Sequence, residues 1–299
     1  MTKCPICINN KSIKSHLFEL SELCKYLGNS VEFTQQGSTR IVKTSVIGDW
    51  LKLASQLRKV DMEWWRYKDE MSEIYCSSDY DDEALDEKHF TEYSTALTRF
   101  MYVTNAMEEA YRFIDKEFHS VETVINKPKG KRFREPSMRA TVVIDQIPKE
   151  SLPENFFHIM KNLEITFRKY IKHFSLTVKG INEVKETDNS AGLHFIRNLR
   201  NHIAHGIFPI VDNPDYWGGE DKKRNLINLL SHACRASAIY IQAILISFNE
   251  GFQSHDYFYM RDVWDEEGDY FESNCKVELA KSLHLKGTFS FANPVQSDC

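Results

Sequence analysis

The sequence is poor in the residues that mark fibrous, disordered or disulfide-rich chains. Its 299 residues include only 12 glycines and 8 prolines, which excludes the collagen-like and low-complexity classes. The 7 cysteines are odd in number and scattered, so they form no disulfide framework. A formal net charge of -5 gives no overall basic field, so a nucleic-acid partner would need a local basic patch. With 42% hydrophobic residues, the chain is long enough to bury a sizeable core.

Long apolar runs are also lacking. Residues 1–12 contain no apolar stretch that could serve as a signal peptide. The most apolar run, residues 236–248, is too short to cross a bilayer and predicts a buried helix. The sequence therefore predicts a cytoplasmic protein with reduced thiols and no membrane partner.

Apolar residues recur at spacings of three and four along much of the chain, which predicts core-facing helices. A short strand is expected at residues 141–147, and residues 29–45 are expected to be more extended. We therefore predict a mainly α fold, a helical bundle with a smaller mixed N-terminal region. The expected helices cover residues 12–26, 46–74, 86–118, 153–178, 191–205 and 222–249.

The polar segment at residues 75–82 suggests a boundary between two parts of the chain. Residues 1–80 are predicted to form the N-terminal region, with a sensing or regulatory role. Residues 81–252 are predicted to form the main helical domain, with a basic loop inserted at 126–139. Residues 253–299 would be an acidic, aromatic C-terminal extension.

The strongest chemical pattern lies at the predicted end of one helix, in residues 199–206 (LRNHIAHG). Residues four apart share a helix face, so Asn201 and His205 are expected to stack, and the long Arg200 side chain can reach the same surface. An imidazole can move a proton at a ribose 2'-hydroxyl or a leaving oxygen. A guanidinium can bind a phosphate through two hydrogen bonds. These three residues suit phosphodiester chemistry without a metal.

This segment resembles the R-x4–6-H motif of the HEPN superfamily, whose members often carry Asn after the Arg. The resemblance extends to abortive-infection and toxin members such as the Apea-like group. It implies a homodimeric helical bundle with facing motifs and metal-independent endoribonuclease activity on RNA, without a cofactor, in toxin or phage-defence systems. His205 would be the acid/base group, Arg200 the phosphate-binding cation and Asn201 an orienting residue. Ile207 stands where some family toxins carry a modified Tyr, so that regulation is not implied.

The same spacing occurs three times, so the motif leaves alternatives open. The Asn after Arg and the Ala-His-Gly ending favour the last pair, and Arg197 and His202 are secondary candidates for the same cleft or for plain surface. A His before Gly at a helix end is also ordinary capping chemistry. The alternative function is a non-catalytic helical module that binds a nucleotide, RNA or a protein. The three pairs are Arg168 with His173, Arg197 with His202, and Arg200 with His205.

A basic loop offers a candidate RNA-binding segment in an otherwise acidic chain. Its cations could grip an RNA backbone while an aromatic ring stacks on a base, and the alternative is a solvated loop. Since unrestrained RNA cleavage is toxic, an activating or restraining partner or segment is also expected. The candidate residues are Lys127, Lys129, Lys131, Arg132, Phe133 and Arg134.

Cys4 and Cys7 form one half of a zinc knuckle. His16 and Cys24 could complete four ligands, but a second C-x2-C pair is absent from the sequence. The alternative is a flexible N-terminus with free thiols, and our prediction is that the protein holds no metal.

Overall fold

The protein is mainly α-helical with a small mixed N-terminal region, which confirms the predicted fold class. The computed structural model describes residues 4–63, 77–121, 134–211, 220–249, 280–288 and 290–291. The helices are α1 (Pro5–Ile8), α2 (Ile13–Leu27), α3 (Thr44–Gln56), α4 (Ser77–Phe113), α5 (Asp115–Phe118), α6 (Pro136–Ile144), α7 (Phe156–His173), α8 (Ala191–Ala204) and α9 (Glu220–Phe248). The strands are β1 (Ser30–Gln35) and β2 (Ser38–Lys43).

The mixed N-terminal region is a helix, a hairpin and a second helix. Ser12 caps α2, because its Oγ accepts a hydrogen bond from the backbone N–H of Ser15 at 3.0 Å. Gly28 ends the helix in the left-handed region, with φ 45°. The polar stretch that follows folds into an antiparallel hairpin, in register from Ser30 opposite Lys43 to Gln35 opposite Ser38.

Two sequence predictions about secondary structure are wrong. Residues 141–144 of the expected strand belong to helix α6, whose buried Ala140, Val143 and Ile144 recur at helical spacing, and residues 145–147 form the turn after it. β-branched residues favour strands only weakly, and packing of one face against α4 decides the outcome here. The helix expected at residues 46–74 already ends at Gln56, and residues 64–74 of that prediction lie outside the described residues.

Helix α9 lies at the centre of the bundle and packs against α2, α4, α7 and α8. Its segment Lys222–Phe248 is long enough to span a membrane, and an 18-residue window within it has a mean hydropathy of 1.4. The apolar window is 83% buried inside the protein, however. A helix that is apolar all round is typical of a protein core, so α9 fits the predicted buried helix.

The hydrophobic core is continuous across residue 80, the predicted domain boundary. Helices α2 and α3 pack on each other, α3 packs on α4, and α2 packs on α9. Arg99 of α4 donates hydrogen bonds to the carbonyls of Ala54 and Leu57, at 3.2 and 2.8 Å. Near the other end of the chain, Leu285 forms an antiparallel bridge with Asn10. The division of the chain into functional parts stays a prediction.

Candidate functional site

Helix α8, which carries the motif, is held in place at its first turn. Asp145 accepts hydrogen bonds from the N–H and hydroxyl of Ser190, at 2.8 and 2.9 Å. The Tyr240 hydroxyl donates to the Asn189 carbonyl at 2.8 Å. Tyr240 also lies so close to Gly192 that an added Cβ would come within 2.8 Å of its hydroxyl oxygen. Glycine therefore allows α8 to approach the core closely, which fixes the direction of its other end.

Helix α8 ends just before Gly206, where the sequence predicts its end. Gly206 follows in the left-handed region with φ 67°. The backbone N–H groups of Ile207 and Phe208 both donate to the carbonyl of His202, at 2.7 and 3.0 Å. This closure places His205 at the C-cap position, where its side chain is exposed.

Arg200 and Asn201 lie together in a polar cleft of about 330 Å³ between α8, α4, the start of α6 and the β1–β2 turn. The Arg200 Nη1 atom lies 3.4 Å from Glu108 Oε1. Three guanidinium groups and two carboxylates line this cleft, and Arg112 also pairs with Glu109 at 2.8 Å, so Arg197 and Arg200 supply the positive charge suited to an anion such as phosphate. The lining residues of the polar cleft are Gln35, Glu108, Arg112, Glu135, Pro136, Ser137, Arg197, Arg200 and Asn201.

The ion pair between Arg200 and Glu108 is partly exposed, and 43% of the Arg200 side chain is accessible to solvent. Exposed ion pairs stabilise proteins by about 0–1 kcal/mol, because water competes for both groups. An incoming phosphate can therefore replace Glu108 as the partner of Arg200 at little cost. This exchange makes the guanidinium available to a ligand.

His205 is separated from the other two predicted catalytic residues. Its backbone N–H donates to the Asn201 carbonyl at 3.0 Å, so it lies one turn further along the same helix. The described residues that line the polar cleft do not include it. The structure thus brings Arg200 and Asn201 into one cleft and leaves the His205 imidazole exposed to solvent outside the cleft lining.

The Arg197 and His202 pair is divided between two environments. Arg197 lines the polar cleft, whereas His202 is buried on the opposite face of α8. The Tyr170 hydroxyl oxygen lies 3.0 Å from His202 Nδ1, within hydrogen-bonding distance. Burial lowers the pKa of His202 and raises the pKa of Tyr170, so both groups are neutral at pH 7. His202 is therefore a packing residue, and only its Arg partner faces the cleft.

The third pair with this spacing, Arg168 and His173, lies on α7 and has its own partners. Arg168 Nε donates to Glu164 at 2.7 Å, one helical turn away. The His173 Nδ1 atom lies 3.1 Å from Asn225 Nδ2. These contacts are those of an ordinary helix surface, as the sequence suggests.

The basic loop falls largely outside the described part of the chain. Lys127, Lys129, Lys131, Arg132 and Phe133 all lie in the segment that the structure does not describe. Arg134 is described and exposed, and its carbonyl accepts a hydrogen bond from Arg139 at 2.7 Å. The RNA-binding role of the loop stays a prediction.

An apolar groove of about 500 Å³ beside the end of α8 was missed by the sequence analysis. Tyr93 anchors one wall, because its hydroxyl donates to the Pro209 carbonyl at 2.7 Å. Exposed Ile210 was the available signal, since 75% of its surface is accessible in a Pro-containing segment next to the motif. The lining residues are Met62, Phe90, Tyr93, Ser94, Leu97, Ile203, Phe208 and Ile210.

The candidate metal ligands from the sequence separate into two groups. Cys4 and Cys7 lie together, and the third member of their cluster is His158 of α7. His16 instead lies in the core, with its Nε2 atom 3.0 Å from Gln242 Oε1. Cys24 is fully buried in α2, and burial raises the pKa of its thiol. His158 could not be identified from local spacing, because more than 150 residues separate it from the two cysteines.

Comparisons with known proteins add no assignment. No family model matches the chain, and no curated protein or solved structure matches it significantly.

Proposed function

We propose that this protein is a metal-independent endoribonuclease of the HEPN type, acting in the cytoplasm in a toxin or phage-defence system. One observation carries the proposal: Arg200 and Asn201 share a positively charged polar cleft, and the exposed His205 lies one turn along the same helix. Arg112 and Arg197 of the same cleft add charge for an RNA backbone.

The proposed reaction uses the ribose 2'-hydroxyl as the nucleophile. His205 takes the proton of that hydroxyl, and the 2'-oxygen attacks phosphorus while the 5'-oxygen leaves and receives a proton. The products are a 2',3'-cyclic phosphate and a free 5'-hydroxyl. Arg200 binds the non-bridging oxygens, whose charge increases in the transition state. Asn201 orients the phosphate beside it.

Two proton transfers are needed, and one chain offers one exposed imidazole at the motif. A homodimer with facing motifs would supply the second imidazole, which is why we propose a dimer as the active form. Gln35 of the hairpin lines the polar cleft, so the N-terminal region is placed to restrain access to it. This contact supports the proposal that residues 1–80 regulate the site or receive an activating partner.

The direct test incubates labelled RNA with wild type, His205→Ala and Arg200→Ala in EDTA. Wild type should leave 2',3'-cyclic phosphate ends, and each variant should lose at least about a hundredfold in rate. His173→Ala is the matched control, since His173 has the same spacing from an Arg but lies on α7. RNA with 2'-O-methyl groups should resist cleavage. Equal cleavage by wild type and His205→Ala would sink the proposal.

Expression in cells is the companion test, because a purified reaction lacks any cellular activator. Wild type should slow growth and shorten cellular RNA, and Arg200→Ala should relieve both effects. Normal growth and intact RNA with wild type, with and without phage challenge, would contradict a toxin or defence nuclease.

The second candidate is a non-catalytic helical module that binds RNA, a nucleotide or a protein. The specific observation in its favour is that Arg200 pairs with Glu108 while His205 lies outside the cleft lining. Such a module would bind RNA in a salt-dependent way without cutting it. Binding that needs Arg200 but is unchanged in His205→Ala, without any cleavage, would favour this candidate.

A further inference from the structure

Two thiols and one imidazole meet where the N-terminal segment contacts helix α7. Cys4 Sγ and Cys7 Sγ each lie 3.4 Å from His158 Nε2. All three ligand atoms lie within 4.8 Å of one another. We call Cys4, Cys7 and His158 the cysteine–histidine cluster. It lies apart from the polar cleft, and none of its members lines that cleft.

The spacing of these atoms matches a tetrahedral zinc site. With Zn–S distances of about 2.3 Å and Zn–N distances of about 2.0–2.1 Å, tetrahedral angles give S···N separations of about 3.5 Å. The two S···N distances in the protein are both 3.4 Å. The ligands already have the positions that an ion requires, so binding needs little rearrangement.

The local sequence explains why both sulfurs point the same way. Cys4 immediately precedes α1, a single turn that begins with Pro5. The Ile8 N–H donates to the Cys4 carbonyl at 3.1 Å, and the Asn10 N–H donates to the Cys7 carbonyl at 3.3 Å. This tight turn places the two thiols side by side, as in a zinc knuckle.

A hydrogen-bonding group supports the cluster from one turn further along α7. Asn162 Nδ2 lies 3.5 Å from Cys7 Sγ and 3.1 Å from His158 Nε2. Two thiols and an amide thus approach one imidazole nitrogen, which carries either one hydrogen or one lone pair and so makes only one in-plane hydrogen bond. A cation among the three ligands would resolve this competition, and the Asn162 amide would then donate to a coordinated sulfur.

We propose that Cys4, Cys7 and His158 bind one zinc ion, with water at the fourth position. Soft thiolates together with an imidazole select zinc over magnesium or calcium. Binding releases the two thiol protons to solvent, so two thiolates balance the charge of Zn²⁺. This site replaces His16 and Cys24 of the sequence hypothesis with His158. The proposal does not depend on the proposed ribonuclease activity.

The consequence of zinc binding is a cross-link between distant parts of the chain. Residues just after the knuckle contact residues near the C-terminus: the Lys286 N–H donates to the Asn9 carbonyl at 2.7 Å, and the Lys11 N–H donates to the His284 carbonyl at 2.9 Å. Zinc at the cysteine–histidine cluster would therefore stabilise a corner in which the N-terminal segment, α7 and the C-terminal residues meet.

Metal analysis of the full-length protein tests the proposal. Wild type, reconstituted with one equivalent of Zn²⁺ and desalted, should retain about one zinc per chain. Cys4→Ser/Cys7→Ser should retain less than about a tenth of that amount. Cys234→Ser is the matched control, because Cys234 is a buried thiol of α9 outside the cluster, and this variant should keep its zinc. Circular dichroism shows whether each variant folds.

Cobalt substitution distinguishes the sulfur ligands from the imidazole ligand, and its wild-type measurement can refute the proposal without any variant. Wild type with Co²⁺ should show a thiolate-to-metal charge-transfer band and the intense visible bands of tetrahedral coordination. His158→Ala should shift the visible bands, because an imidazole is lost, and should keep the charge-transfer band. Zinc-free wild type without a cobalt spectrum would overturn the proposal. So would a Cys4–Cys7 disulfide in freshly purified protein, or a His158→Ala spectrum identical to wild type.

RNA cleavage is not a readout in either experiment. The metal site can therefore fail while the ribonuclease proposal stands, and the reverse also holds.

Discussion

Two polar regions of this protein use similar side chains in opposite ways. His16, Gln242 and His284 form a buried polar cluster in which each residue is fully inaccessible to solvent. The polar cleft at α8 instead keeps its cations half-exposed and pairs Arg200 with Glu108. Burial fixes the partners and the protonation states of the first region, whereas water keeps the partners of the second region exchangeable. The first region stabilises the fold, and the second is open to a ligand.

The contacts of the buried polar cluster explain why its imidazoles stay neutral. Gln242 Oε1 lies 3.0 Å from His16 Nε2, and Gln242 Nε2 donates to the Lys281 carbonyl at 3.2 Å. Burial, followed by the charge of Arg235, lowers the pKa of His284 to about 3 and lowers the pKa of His16. Neither imidazole can take up a proton without placing a charge in the core.

The largest expected effect is therefore a decrease in the free energy of unfolding at acid pH. The unfolded chain binds a proton at His284 with a pKa near 6.5, whereas the native state does so only near 3. Between these values the unfolded state holds more protons, so the free energy of unfolding falls as the pH falls. One such group removes about 1.4 kcal/mol per pH unit, and roughly 4–5 kcal/mol over the interval. Urea denaturation at several pH values measures this slope.

A pair of variants isolates the contribution of His284 from that of the carboxylates. His284→Asn should reduce the slope between pH 6.5 and 3, because one of the two buried imidazoles that gain a proton on unfolding is gone. The exposed His119→Asn should leave the profile as in wild type. Identical slopes for wild type and His284→Asn would show that His284 is not buried as a neutral group.

The next largest effect is expected from Gln242→Leu. This change keeps the apolar bulk but removes the partner of His16 Nε2 and the donor to the Lys281 carbonyl. Leaving buried polar groups unsatisfied costs about 1–3 kcal/mol each, so a loss of roughly 3 kcal/mol is expected. Denaturant unfolding at neutral pH measures it. A loss smaller than that of a conservative core change such as Ile244→Val would contradict a structural role for this cluster.

Substitutions of the two motif histidines should affect different properties: His202→Ala should lower stability, and His205→Ala should abolish activity. His202→Ala leaves a cavity beside Tyr170 and removes the hydrogen-bond partner of its hydroxyl, so a loss of about 2 kcal/mol is expected. His205→Ala should leave the unfolding midpoint unchanged, because its side chain is exposed. In the RNA assay the order should reverse, with His205→Ala the inactive variant. Equal stability of the two variants would contradict the burial of His202 and the exposure of His205.

The smallest effect on stability is expected from Glu108→Gln. Since the ion pair with Arg200 is partly exposed, the free energy of unfolding should change by less than about 1 kcal/mol. Removing the competing carboxylate should raise RNA affinity roughly twofold to fivefold at low salt. Glu92→Gln is the control, because Glu92 lies on α4 like Glu108 but pairs with Lys223 of α9 and does not line the cleft. Unchanged affinity in Glu108→Gln would argue against phosphate binding by Arg200.

Local signals predicted the ends of α2 and the end of α8 well, because a capping residue interacts with backbone groups of its own helix turn. Ser12, Gly28 and Gly206 each act within one turn of their own position. The burial of His202 could also have been predicted, since it follows Phe195 and Leu199 on the apolar stripe of α8. The choice of the Arg200 register over the other two stays a prediction, because Arg197 lines the same cleft and His205 does not.

What the sequence could not reveal depends on contacts between distant residues. The run of β-branched residues at 141–144 is helical because tertiary packing outweighs local preference. His158 joins Cys4 and Cys7 only because the N-terminal segment folds back on α7. The ion pair of Arg200 with Glu108 joins two helices whose relative position no spacing rule predicts.

The members of the buried polar cluster are synthesised at very different times. His16 emerges from the ribosome early, but Gln242 and His284, which complete its surroundings, follow 226 and more residues later. Until then the first helices lack the partners of their polar groups, and such long-range contacts close late in folding. We therefore expect the packing of α2 against α9 to be completed only after residue 284 has been synthesised.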